Sequence, residues 1–154
     1  MLNLDYRYYL LPLEEKKRFV ASIDDKNLSI LRDYKLALAV NYGLRAESYD
    51  TEIAKIGDAI AMAYRSGNDM ERARLEAELS KYNKEKLLYR NEAQLLHLEA
   101  CMCFIEEMRR KGLTEADLSP EQLENFPATT WTDVEDFLIS ERVYELHGIQ
   151  SSRG

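Results

Sequence analysis

The chain has 154 residues, 45% of them hydrophobic and 32% charged, with a formal net charge of −7. That is too apolar for a disordered chain and too charged for one embedded in a bilayer. Residues 1–46 carry 8 basic and 6 acidic side chains, 68–111 carry 9 of each, and 112–154 carry 2 and 9. The excess acidity therefore sits in the last quarter, and no whole-chain basic field exists to displace counterions from phosphates, which argues against direct nucleic-acid binding.

Residues 1–11, with Tyr6, Tyr8, Tyr9, Leu10 and Leu11, are expected to form an extended arm or a short strand. They lack the basic-then-apolar order of a secretory leader. Pro12 suits the first turn of a helix ending near Ser22, with Glu14 and Glu15 at its positive end. Asp24-Asp25-Lys26-Asn27 then leads to an N-cap. A second helix over about 28–43 is apolar around most of its circumference, the pattern of a bundle's central helix, with Gly43 as its terminator.

A third helix over about 48–65 carries Tyr49, Ile53, Ile56, Ile60 and Ala63 on one face. Ser66-Gly67-Asn68-Asp69 stops it, and Asn68 with Glu71 caps the next. A turn so short makes the two helices an antiparallel hairpin. The fourth helix runs from about 69 to 111 without Gly or Pro, on the order of 60 Å. Leu75, Leu79, Tyr82, Tyr89, Ala93, Leu96, Ala100 and Cys103 follow a heptad-like seam interrupted by Lys86. Outside that seam residues 69–91 read as polar, and 93–108 as apolar on nearly all sides. The second half is thus expected to be wrapped by other elements, and the first to project, pair with the third helix, or pair with another chain.

Gly112 ends the long helix. Thr114-Glu115-Ala116-Asp117 and Ser119-Pro120-Glu121-Gln122 are helix-start signatures. Thr132-Asp133-Val134-Glu135 opens a last helix running to Gly148, and 149–154 reads as a frayed tail. The fold class is therefore all-α: a bundle of five to six helices around the long one, in a single domain over 1–148, with 113–148 a candidate acidic subdomain.

Chemistry is sparse. His97 and Cys101 share a helical face, but two ligands are too few for a metal site. A nucleophilic Cys101 or Cys103 would need a nearby base and a depressed pKa in a region that is apolar. No phosphate-binding loop, serine elbow or zinc-protease motif occurs. Cys101 and Cys103, two apart on a helix, point about 200° from each other and cannot bridge, which fits a reducing, cytoplasmic compartment. Lys16-Lys17-Arg18, beside Tyr8, Tyr9 and Phe19, is a local patch that could touch a phosphate backbone. Lys81, Lys84, Lys86 and Arg90 read as an ion-paired exposed helix.

The expected function is a non-enzymatic protein–protein interaction module, an adaptor, assembly factor or inhibitor, with no cofactor and no metal. It would self-associate as a homo-oligomer through Leu75, Leu79, Tyr82 and Tyr89. A second expectation is an acidic inhibitor or regulator that occupies the basic groove of a nucleic-acid-processing machine, through Trp131, Asp133, Glu135 and Asp136. Phe126, Trp131, Phe137 and Tyr144 are either the anchors of such a surface or core that holds the last helix down.

Overall fold

The computed structural model describes residues 2–149 and contains no strand among them. Seven α-helices follow in chain order: α1 (Leu13–Ala21), α2 (Asp25–Glu47), α3 (Tyr49–Arg65), α4 (Asp69–Lys111), α5 (Pro120–Asn125), α6 (Trp131–Ser140) and α7 (Val143–Leu146). Two single 3-10 turns, Tyr8–Leu10 and Glu115–Asp117, complete the helical elements of the described residues. Only Ser48 separates α2 from α3, and its backbone is still helical (φ −62°, ψ −20°), so the two form one bent helix. Counted that way the fold is an all-α bundle of six helices. None is long and apolar enough to cross a membrane.

The differences from the sequence reading are local and have local causes. The Tyr-rich arm contains a 3-10 turn rather than a strand, with Tyr8 and Tyr9 buried. The segment expected as a turn is already helical from Asp25, and Asp24 caps α2: its Oδ1 accepts from the Asn27 amide at 2.8 Å. Gly43 does not terminate α2, because the chain there keeps a negative φ and continues to Glu47. Nor is α2 central: Leu28 and Leu31 are buried, but Ile30 and Val40 are 45% and 54% exposed. The expected last helix is broken after Ser140 by Arg142 in the left-handed region (φ +56°). A non-glycine residue there costs about 1–2 kcal/mol. Two Arg142 bonds to Glu145 (2.8 and 3.1 Å) and the burial of Val143 and Tyr144 offset it. Apart from Ile149, the expected tail lies outside the described residues.

The chain divides into two compact units: one takes the chain up to Ala37 and from Leu95 onward, the other takes Leu38–Gln94. The division falls within α2 and α4, not at Gly112.

In the first unit the centre is α4. Every residue from Leu98 to Glu106 is buried, so the expectation for this half of the helix holds. Around it pack Tyr8, Tyr9, Val20, Leu28, Leu31, Phe126, Val134, Leu138, Val143 and Tyr144. The Phe104 and Phe126 rings stack with centroids 4.1 Å apart, and Trp131 and Phe137 lie half-buried against the same core. Phe126 and Tyr144 are therefore core. Arg110 ties the end of α1 to α4, donating to the carbonyls of Val20 and Ile23 at 3.1 and 2.6 Å.

In the second unit α3 and α4 form the expected antiparallel hairpin. Gly67 takes φ +69°, and the Asn68 amide reaches back to the Ala63 carbonyl at 2.9 Å, the closing bond of a left-handed helix end. Asn68 Oδ1 then accepts from the Glu71 amide at 3.2 Å and starts α4. Ile56, Ala63 and Leu75 form the buried cluster of the hairpin, with Ala59, Ile60, Leu79 and Tyr82 packed against it.

Candidate functional site

Two places concentrate groups capable of recognition or chemistry, one in each unit. The first is a set of buried charges. Lys35 on α2 donates to Glu99 Oε1 on α4 at 3.0 Å and to the Tyr6 carbonyl at 2.9 Å. Glu99 Oε2 accepts from the Tyr9 amide at 3.2 Å, and the Glu99 carbonyl accepts from the Tyr8 hydroxyl at 2.9 Å. Lys16 on α1 donates to the Leu11 carbonyl at 2.5 Å, to Glu135 Oε1 at 3.5 Å and to the Tyr144 hydroxyl, which donates in turn to Glu135. Each lysine thus holds one carbonyl of the N-terminal segment and one carboxylate of a core helix.

Burial governs the protonation of these groups. It pushes the Glu99 carboxyl up to about 7 against the opposing pull of Lys35 and the Tyr9 amide. It lowers the Lys16 ammonium, which Glu135 partly restores, and raises the hydroxyls of Tyr8 and Tyr144. The thiols of Cys101 and Cys103 rise to about 11 and about 12 for the same reason. A thiol so placed is a poor nucleophile. Among the described residues no buried side-chain nitrogen or oxygen lacks a hydrogen-bond partner. A fully satisfied network of this kind fixes one packing arrangement. His97 contacts the Asn125 carbonyl, and Cys101 is buried. No group of three or more potential ligands is arranged around a metal position among the described residues.

The acidic residues singled out from the sequence do not form one surface. Glu135 is buried against Lys16. Asp133 Oδ2 caps α6, accepting from the amides of Thr129 and Thr130 at 3.1 and 3.2 Å. Asp136 is exposed. The basic triplet is likewise divided: Lys16 is interior, while Lys17 and Arg18 pair with Glu14 and Glu15 on their own helix.

The second place is the first half of α4. The seam residues are engaged within their own unit. Leu75 is buried against Ile56 and Ala63. The Tyr82 ring lies 5.9 Å from that of Tyr49, and the Tyr89 ring 6.0 Å from Tyr49 and 5.8 Å from Tyr42. Lys86, the interruption in the heptad pattern, pairs with Asp50 on α3. An ion pair therefore completes the α3–α4 contact where the pattern calls for an apolar residue.

No family profile, curated protein or solved structure matches the chain.

Sequence reasoning missed the apolar side chains of α4 outside the seam, a stretch it took as polar. Leu87 and Leu88 are 54% and 69% exposed. A shallow hollow of about 360 Å³ runs along the helix between Glu76, Leu79, Ser80, Asn83, Lys84 and Leu87. The signal was present: two leucines off the seam of a helix whose seam is already paired. Val40 and Leu44 on α2, and Met62, Tyr64 and Met70 near the hairpin turn, are also exposed in this unit.

Proposed function

We propose that the chain is a non-enzymatic protein–protein interaction module that self-associates through helical surfaces of Leu38–Gln94. The observation that carries this reading is a contrast within that unit. Its hairpin buries a cluster of three residues, yet seven of the twelve exposed large hydrophobic side chains belong to the unit. Seven large apolar side chains left in water on a unit of this size favour its association with a partner, and small units gain stability when a partner covers them.

The paired and buried state of the ionisable groups elsewhere supports a structural rather than catalytic use of them. The seam of Leu75, Leu79, Tyr82 and Tyr89 organises the hairpin, and association uses the apolar side chains outside it. Sedimentation equilibrium over a wide concentration range tests the reading. A mass that climbs from one chain toward a multiple of it is expected. A single-chain mass throughout would remove self-association.

A further inference from the structure

The exposed face of α4 is self-complementary, and we infer that it is the surface on which a second copy of this chain docks, antiparallel, about a two-fold axis at Ser80. The inference rests on the proposed self-association and names its geometry. Ala73, Glu76, Ala77, Ser80, Asn83, Lys84 and Leu87 are all exposed. Their spacings of three and four place them on one side of the helix.

A two-fold axis makes the contact reciprocal, so a residue that touches another on the partner is touched by its counterpart in return. With the axis at Ser80 and the helices antiparallel, position 76 faces 84, position 73 faces 87, and position 80 meets its own copy. Each of these pairings is chemically matched. Glu76 of one copy meets Lys84 of the other, twice per dimer. Lys84 has no ion pair in its own chain among the described residues, and Glu76 has only a long exposed contact to Arg72 at 3.8 Å. Leu87, the largest apolar side chain of the face, comes against Ala73, where a methyl leaves room for it. Ser80 at the centre lets the backbones approach.

A parallel pairing would set Glu76 against Glu76 and Lys84 against Lys84, and like charges so placed are destabilising. Charge therefore selects the direction and size selects the register. The face is narrow, so the complex belongs to the small, reversible class of interfaces, with dissociation between about 1 μM and about 1 mM.

The test is a charge swap read by sedimentation equilibrium on the full chain, with circular dichroism confirming that each variant keeps its helix. Glu76→Lys alone and Lys84→Glu alone each place like charges opposite one another twice, and should weaken dimerisation by about tenfold or more. The double variant restores both pairs and should return to within about threefold of the original. Leu87→Glu should abolish the dimer. Ser80→Cys should cross-link to its own copy on mild oxidation, because Cys101 and Cys103 are buried and do not compete. A dimer indifferent to Leu87→Glu and to both charge reversals would overturn this interface while leaving self-association standing. A wild-type chain that stays monomeric up to about 1 mM would overturn both.

Discussion

The two units place charge and apolar surface in opposite ways. In the unit around Leu95–Lys111, Lys16, Lys35, Glu99, Glu106 and Glu135 are buried. In Leu38–Gln94 no charged side chain is buried, whereas Val40, Leu44, Met62, Tyr64, Met70, Leu87 and Leu88 are exposed. Interior ion pairs contribute little net stability but penalise any packing that separates them. The first unit is therefore built for one conformation. The second keeps its charged groups in water and leaves those apolar side chains exposed.

The largest test of that contrast removes one buried cation. Lys35→Met leaves both the Glu99 carboxylate and the Tyr6 carbonyl without their shared donor and should cost about 3–5 kcal/mol at pH 8, measured by urea unfolding. At pH 5 the loss should shrink, because a solitary buried carboxyl takes up a proton. Reversing any exposed ion pair of the second unit, such as Arg74 with Glu71, should change stability by less than about 1 kcal/mol.

Next in size is the pH dependence of Glu99. Its folded pKa of about 7 lies above the ordinary value of 4.5, so the folded state holds the proton more tightly than the unfolded state. The stability it contributes is full below pH 4.5 and is lost as the pH rises through 7, on the order of 3 kcal/mol. Glu99→Gln imitates the protonated form. Its unfolding free energy should match the wild type within about 1 kcal/mol at pH 5 and exceed it at pH 8. A variant less stable than wild type at pH 8 would show that the ionised pair with Lys35 is favourable after all.

Two glycines give a smaller effect with opposite signs. Gly67 sits at φ +69° in the hairpin turn with open space where a Cβ would point. Gly67→Ala should therefore cost about 1 kcal/mol through backbone strain alone. Gly43 lies inside α2 with no such φ and the same open space, and Gly43→Ala should stabilise by up to about 1 kcal/mol. Thermal melts distinguish the two.

The bounds of α4 were legible because each end carries its own chemistry: Gly67-Asn68 before it and Gly112 after it. So was the burial of its second half, where apolar residues cover every side. The buried lysines were not legible. Lys16 sits in a charged triplet on an amphipathic helix, and its partners Glu135 and Tyr144 are more than a hundred residues away in sequence. No local pattern marks which member of Lys16-Lys17-Arg18 turns inward. The role of Arg142 was hidden for a similar reason, since left-handed geometry at a non-glycine residue is imposed by packing on both sides of it. In the second unit, the seam could be read but not its occupant. The heptad pattern of Leu75, Leu79, Tyr82 and Tyr89 fits a partner chain and α3 equally well, and Lys86 opposite Asp50 is the detail that distinguishes them only once the structure is known.

The smallest expected change in stability accompanies the largest expected change in association. Leu87→Glu should alter the unfolding free energy by no more than about 0.5 kcal/mol, as an exposed substitution does. Equal losses of stability and association would mean that Leu87 supports the hairpin itself.

Hydrogen exchange followed peptide by peptide at low and high protein concentration decides whether the outward face of α4 in Leu38–Gln94 is a docking surface. Amides of residues 73–88 should gain protection as concentration rises, while those of Leu98–Met108 exchange at an unchanged rate. Protection of 73–88 that does not vary with concentration, or a gain confined to the other unit, would contradict it.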